Sequence, residues 1–265
     1  MKIPILMYHE IVDEKPSRDL QEKVQGSYIV SRSKFKEQIS CLKESGHYTV
    51  SLDEAINILK RKDKTNEKPI VITFDDGFEG NYHYALPILM EYGLSATFFV
   101  SAGLVGNTNM LSWDQIREMD SMGMSIQSHS VSHPLLSTLE SEKLKYELLE
   151  SKLMIEEKIG TPVNFFSYPN GDYNSEVILN LRNLGYRAAC SSKFGLNKSE
   201  TNIFELKRIK IPGSYNLEEF KKILFLDRKK YLLLHSKDLL LSSFRRIIGP
   251  NNYEKIYAKL FNIKQ

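Results

Sequence analysis

Ile70-Val71-Ile72-Thr73-Phe74-Asp75-Asp76-Gly77-Phe78 is an apolar, β-branched run that stops at two adjacent carboxylates and a glycine. A short continuous apolar run is the signature of a buried strand, and in α/β folds ligands bind at the carboxyl end of such strands. Two neighbouring aspartates at that end leave the strand in different directions. One can hold a cation while the other acts as a base. Asp-Gly is also a common surface-turn dipeptide, so the stretch alone leaves both readings open.

Further along, Gly123-Met124-Ser125-Ile126-Gln127 is a second strand-like run, followed by Ser128-His129-Ser130-Val131-Ser132-His133-Pro134. Two histidines four apart beyond a strand end can converge on one ion, and imidazole with carboxylate suits zinc and other divalent transition metals. A helix face or a solvated loop is the plainer reading of the pair alone. Both features following strands in one α/β pattern strengthen the metal-site reading.

Thr73-Phe74-Asp75-Asp76-Gly77, His129-Ser130-Val131-Ser132-His133 and Phe166-Ser167-Tyr168-Pro169-Asn170-Gly171 resemble, in order, the first three motifs of the polysaccharide deacetylases, carbohydrate esterase family 4; the third is a variant. The opening Ile3-Pro4-Ile5-Leu6-Met7-Tyr8-His9-Glu10-Ile11 is similar to the start of the circularly permuted branch, which includes deacetylases of poly-N-acetylglucosamine. The resemblance runs over residues 1 to 225. It implies a distorted seven-stranded (β/α) barrel, a metal held by Asp76, His129 and His133, and Asp75 as the base. The acid of the permuted branch would be His9. His235 competes, because Leu232-Leu233-Leu234-His235 resembles the last motif of unpermuted relatives. Tyr168, Pro169 and Asn170 would line the site, with the Asn170 N–H facing the oxyanion. Zinc is the expected ion, with cobalt or nickel as alternatives. Two departures stand out: Ser167 occupies a position where many relatives carry an arginine that holds the base, and Asn170 replaces a usual aromatic. The orientation of Asp75 is then unexplained. Trp113 and Tyr168 are candidates for face contact with a sugar ring, or for the core.

The remaining residues bound these expectations. The chain has 265 residues, 42% of them hydrophobic and 26% charged, which suits one large globular domain. Cys41 and Cys190 fit no metal spacing and read as buried thiols, with a disulfide left open. His47 and His83 match no motif and read as surface or helix residues. Lys2 precedes only a short apolar segment, and no run reaches the roughly 20 apolar residues of a spanning helix. The chain as given therefore reads as cytoplasmic, or as exported if a leader has been removed.

Strand-like runs alternate with helical ones: strands at 3–8, 48–50, 95–100, 163–167, 186–190 and 206–211, and helices at 31–45, 81–92, 113–122, 141–159 and 175–184, with another opened by Ser51. The segment Asp13–Gly26 reads as a loop and Arg61–Lys68 as a charged linker. Repeated strand–helix–strand units imply parallel strands, and seven or eight of them fit a barrel. No glycine-rich phosphate loop follows an early strand. A barrel over residues 1–226 is thus expected, followed by a basic helical extension over 227–265. Residues 221–265 hold eleven Lys or Arg against three acids. That basic amphipathic pattern fits a membrane surface or an anionic partner, and also a helix packed on the barrel with its lysines in water. No recognition motif points to nucleic acid.

The expected activity is metal-dependent removal of acetyl from N-acetylated amino sugars of a glycan or glycan precursor. An O-acetyl esterase, another amide hydrolase or an inactive carbohydrate-binding protein are the alternatives. A non-haem iron oxygenase shares the two-histidine, one-carboxylate set but has no use for a base beside the ligand.

Overall fold

A computed structural model describes residues 2–14, 28–61 and 67–249, together with 252, 253 and 256. Most of the Asp13–Gly26 loop, the middle of the charged linker and much of the chain after 249 lie outside the described residues.

Seven parallel strands close into a barrel. These are β1 (Ile5–Tyr8), β5 (Lys68–Phe74), β6 (Thr97–Val100), β7 (Ser125–Ser128), β8 (Phe165–Ser167), β9 (Ala188–Phe194) and β10 (Leu206–Lys210). Successive strands from β5 to β10 pair in order, β10 pairs with β1, and β1 pairs back onto β5 with Ile5 opposite Val71 and Tyr8 opposite Phe74. β4 (His47–Thr49) sits outside this ring, paired to the amino-terminal half of β5. β2 (Glu10–Val12) and β3 (Ile29–Ser31), which the sequence pattern did not suggest, form a small parallel pair of their own just past β1.

Helices cover the outside: α1 (Arg32–Glu44), α2 (Leu52–Arg61), α3 (Leu86–Glu91), α4 (Trp113–Ser121), α5 (Ser141–Ile159), α6 (Ser175–Asn183) and α7 (Leu217–Leu224). Local chemistry sets their starts. Ser31 caps α1, Ser112 and Gln115 form a reciprocal capping box at α4, and Asn174 caps α6. The helix expected over 81–92 opens as a π-helix from Asn81 to Ala85 before α3 begins, with Pro87 in the first turn of α3. A longer helix, α8 (Arg228–Ile248), follows α7 and packs against β9.

Period-two alternation divides the strands between two environments. Ile70, Ile72 and Phe74 belong to the large core between barrel and helices, whereas Val71 joins Ile5, Phe99, Phe165, Ala188 and Leu206 in a second cluster. Continuing along the second register, Val71 leads to Thr73 and Asp75, Phe165 to Ser167, and Leu206 to Arg208. The barrel lumen is therefore apolar towards the amino ends of its strands and polar towards the carboxyl ends.

Cys41 and Cys190 are both buried free thiols. His47 corrects the surface reading: it is only 8% exposed, its Nδ1 lies 2.8 Å from Ser45 Oγ, and burial followed by the Lys68 charge lowers its pKa to about 4.

Candidate active site and metal centre

β5 ends at Phe74, and the two aspartates beyond it diverge because the backbone turns sharply there. Asp76 and Gly77 both adopt positive φ, 76° and 87°. Glycine does so without cost and aspartate tolerates it, so the Asp-Gly turn and the buried strand are both real and consecutive. Ser130, His133 and Asn170 also have positive φ, so four of the six described non-glycine residues in that region lie at this end of the barrel. Such conformations persist where surrounding contacts over-determine them.

Asp76 Oδ1 lies 3.3 Å from His129 Nε2 and 3.2 Å from His133 Nε2. Ligand atoms of all three fall within 4.8 Å of one another. Four ligands about 2.1 Å from a tetrahedral ion stand roughly 3.4 Å apart, so this spacing fits a zinc-sized cation. The imidazole of His129 is also oriented for ligation. Its Nδ1 lies 2.7 Å from the Ser167 carbonyl, which can only accept, so the proton sits on Nδ1 and Nε2 keeps its lone pair. Glu147 of α5 fixes the loop between the histidines, accepting the N–H groups of Val131 and Ser132 and the Ser132 hydroxyl at 2.6–2.9 Å. Burial opposes ionisation of Asp76, but the two imidazoles beside it win and hold it well below the usual carboxylate range.

Asp75 is 3% exposed and faces a different partner. Arg208, from β10, grips both its oxygens, with Nη1 to Oδ1 and Nη2 to Oδ2 each at 2.7 Å. The same guanidinium reaches Thr73 Oγ1 and Ser167 Oγ, and its Nε donates to the Ser191 carbonyl. Ser167 Oγ completes the cradle at 3.1 Å from Asp75 Oδ2. Burial again raises the Asp75 pKa, and the Arg208 charge, followed by those of His129 and His9 and the Arg208 hydrogen bonds, more than reverses it. The arginine missing before Pro169 is thus replaced by one from a different strand. The sequence carried a signal for it: in Leu206-Lys207-Arg208, alternation puts Arg208 on the face of lumen-facing Leu206.

His9 follows β1. Its ring packs against Tyr28 with centroids 4.0 Å apart, and Asn81 Nδ2 donates to its carbonyl at 2.7 Å. Burial lowers its pKa to about 4, while the charges of Asp76 and Asp75 pull the other way. His235 lies on α8, where its ring stacks on Tyr231. Lys210, at the end of β10, sits over the Tyr28 ring at 3.5 Å; burial and then the Lys237 charge lower its pKa to about 7.

The turn after β8 is closed by Gly171 N–H to the Tyr168 carbonyl and Asp172 N–H to that of Pro169, a pattern that does not use the Asn170 N–H. Arg245 of α8 clamps this turn, donating to the Asn170 carbonyl at 2.7 Å and to Asp172 Oδ1 at 3.3 Å. Asp172 Oδ2 accepts from Ser137 N–H, just beyond His133. Tyr168 departs from the expectation of a sugar platform. It is 1% exposed, its hydroxyl donates to the Phe204 carbonyl, and its ring stacks on Tyr173, so no face is free for a ligand. Pro169 is buried beneath the turn, and Trp113 is half-buried at the start of α4.

The comparisons with known proteins agree with this architecture. The polysaccharide deacetylase family profile matches residues 62–189. A Bacillus subtilis (strain 168) protein named for the same family, YxkH, is 31% identical over 213 residues, covering 80% of this chain and 72% of the relative. The poly-beta-1,6-N-acetyl-D-glucosamine N-deacetylase of Staphylococcus epidermidis is 32% identical over 152 residues, just over half of each chain (53% and 52%). Among solved structures, the Streptococcus pyogenes deacetylase PplD in complex with acetate superposes with a TM-score of 0.77 at 29% identity, covering 85% of this chain and 97% of PplD. With its closed seven-stranded parallel barrel and these relatives, the chain belongs to the polysaccharide deacetylase family and is a deacetylase.

Proposed function

We propose that the protein hydrolyses the acetamide of N-acetylated amino sugars in a glycan or glycan precursor, at a divalent-metal centre held by Asp76, His129 and His133. The observation that carries this reading is the separation of two adjacent carboxylates, Asp76 towards two imidazoles and Asp75 towards a buried guanidinium. Zinc suits that donor set best, with cobalt and nickel next. When bound, such an ion lowers the pKa of a coordinated water towards about 7 and polarises the acetyl carbonyl.

The chain's own residues supply the rest. Asp75 takes a proton from the attacking water; Arg208 keeps it ionised and aimed, and with Oδ2 held by both Arg208 and Ser167 it is Oδ1 that keeps a lone pair to accept. The Asn170 N–H faces the developing negative oxygen, held in place by Pro169 on one side and by Arg245 on the other. His9 donates the proton that lets the amine leave. Burial keeps its ring neutral in the resting site against the pull of the two aspartates, so the proton it passes to the amine is the one Asp75 has taken from the water. Trp113 is the remaining candidate for an apolar contact with the sugar.

Acetate release from paired N-acetyl and O-acetyl glucosamine oligomers, before and after chelation and after return of zinc, cobalt or nickel, tests this. The expected result is release from the N-acetyl oligomer that disappears on chelation and returns with metal. Release from the O-acetyl oligomer alone would make the protein an esterase. Sugar binding without release at any metal loading would make it a binding module.

A further inference from the structure

Helix α8 shows two incompatible faces. Its inner face is committed to the barrel: Tyr231 packs on Phe194 with ring centroids 5.0 Å apart, Asp238 accepts the Phe194 N–H, and Arg245 clamps the turn after β8. Its outer face carries Leu233, Leu240 and Ile247, which are 65%, 73% and 81% exposed. They are spaced seven apart, so on a helix they drift by only about 20° per step and form one continuous stripe. Leu232 and Leu239 extend it on one side, while Phe244, 44% exposed, has its ring set against Tyr253. Single exposed leucines need no explanation, but a stripe from Leu233 to Ile247 along one side of a 21-residue helix does.

Charge says what covers it. Exposed Lys229 and Lys237 fall on the same outer sector, and Arg228 extends the basic set at the start of the helix. The sole acid of α8 is Asp238, and it is turned inward to Phe194. A second copy of the same helix would therefore set lysines against lysines with no carboxylate to answer them. An apolar stripe bordered only by cations complements an anionic lipid surface, into which such a helix sinks its apolar side while lying parallel to the plane. No described helix is long and apolar enough to cross a membrane, so lying in the interface is the geometry left to it.

We infer that α8 is a docking helix that seats this enzyme on an anionic lipid surface through Leu233, Leu240 and Ile247, with Lys229 and Lys237 flanking. Because the opposite face of the same helix holds the Asn170 turn, docking places the rim of the catalytic end of the barrel beside the bilayer. The inference rests on the helix alone and does not depend on which glycan is deacetylated.

Flotation of the full chain with vesicles of phosphatidylcholine alone, or with about 30% phosphatidylglycerol, tests it. The expected result is partitioning onto the anionic vesicles that weakens with salt. A triple variant, Leu233→Gln with Leu240→Gln and Ile247→Gln, should partition about tenfold less while keeping its circular dichroism and its acetate release from a soluble substrate. Lys229→Gln with Lys237→Gln should lose several-fold and show a shallower salt dependence. Absence of partitioning by the parent chain, or equal partitioning by the triple variant, would overturn the inference. So would a concentration-dependent dimer in sedimentation that the triple variant abolishes, since the stripe would then be a contact between copies.

Discussion

Arg208 and Asp75 stand 133 positions apart in the chain and meet inside the barrel through two parallel 2.7 Å hydrogen bonds. Both side chains are almost fully buried, 1% and 4% exposed. A buried ion pair is weak evidence for stability, because desolvation offsets much of the attraction, but removing one partner leaves an uncompensated charge. In the proposed mechanism this pair orients the base. Arg208→Lys keeps the charge and loses the fork, and should lower kcat about a hundredfold with metal content unchanged. Arg208→Ala should in addition cost about 3–5 kcal/mol of stability, read by denaturant titration. Full activity in the lysine variant would show that the fork does not aim Asp75.

The two candidate acids are separated by mutation. His9→Gln should reduce kcat by about 10²-fold or more, and His235→Gln should change it less than about threefold. His9 feels the charges of both aspartates, whereas the His235 ring stacks on Tyr231 on α8. A larger loss in the His235 variant would reverse the assignment.

Glu147 holds the backbone between the two histidines. Glu147→Ala should weaken zinc binding by about 10–100-fold, measured by competition with a coloured chelator, with acetate release recovering at saturating metal. Unchanged zinc affinity would mean that the loop keeps its shape without the carboxylate.

Arg245 ties α8 to the turn that carries Asn170. Arg245→Ala should lower kcat about tenfold with KM little changed, and Arg245→Lys should recover part of it. A change confined to KM would place the residue in substrate binding instead.

Much of this was legible in the sequence because the deciding elements are local. The apolar run before Asp75 and the capping serines report their structure within a few residues. Alternation along β10 also places Arg208 on the lumen face, a signal that went unread. The pairing of Arg208 with Asp75 was not legible, because it depends on how a seven-stranded ring closes, and no local pattern encodes which strand ends face each other. Tyr168 stayed open for a related reason: an aromatic next to a site motif suits a platform and a core equally until its hydroxyl finds the Phe204 carbonyl. His47 looked like a surface histidine because the strand it pairs with, at Lys68, follows only after another helix and the charged linker.

That burial has a thermodynamic signature. Burial and then the Lys68 charge hold His47 at about 4 in the fold, against about 6.5 for a free imidazole. Between these values the unfolded chain binds more protons than the folded one, so this contribution is complete above about pH 6.5 and is lost as pH falls towards 4. His47→Gln should flatten the stability-versus-pH curve across that window by on the order of 1–2 kcal/mol, measured by urea unfolding at several pH values. An unchanged slope would mean that His47 keeps an ordinary pKa.

The most direct measurement compares Asp75→Asn with Asp76→Asn for both bound zinc and acetate release. Asp75→Asn should keep zinc while losing about 10³-fold in kcat, and Asp76→Asn should lose the zinc itself. Equal zinc in the two variants, or a retained rate in zinc-loaded Asp75→Asn, would contradict the assignment of one aspartate to the ion and the other to the proton.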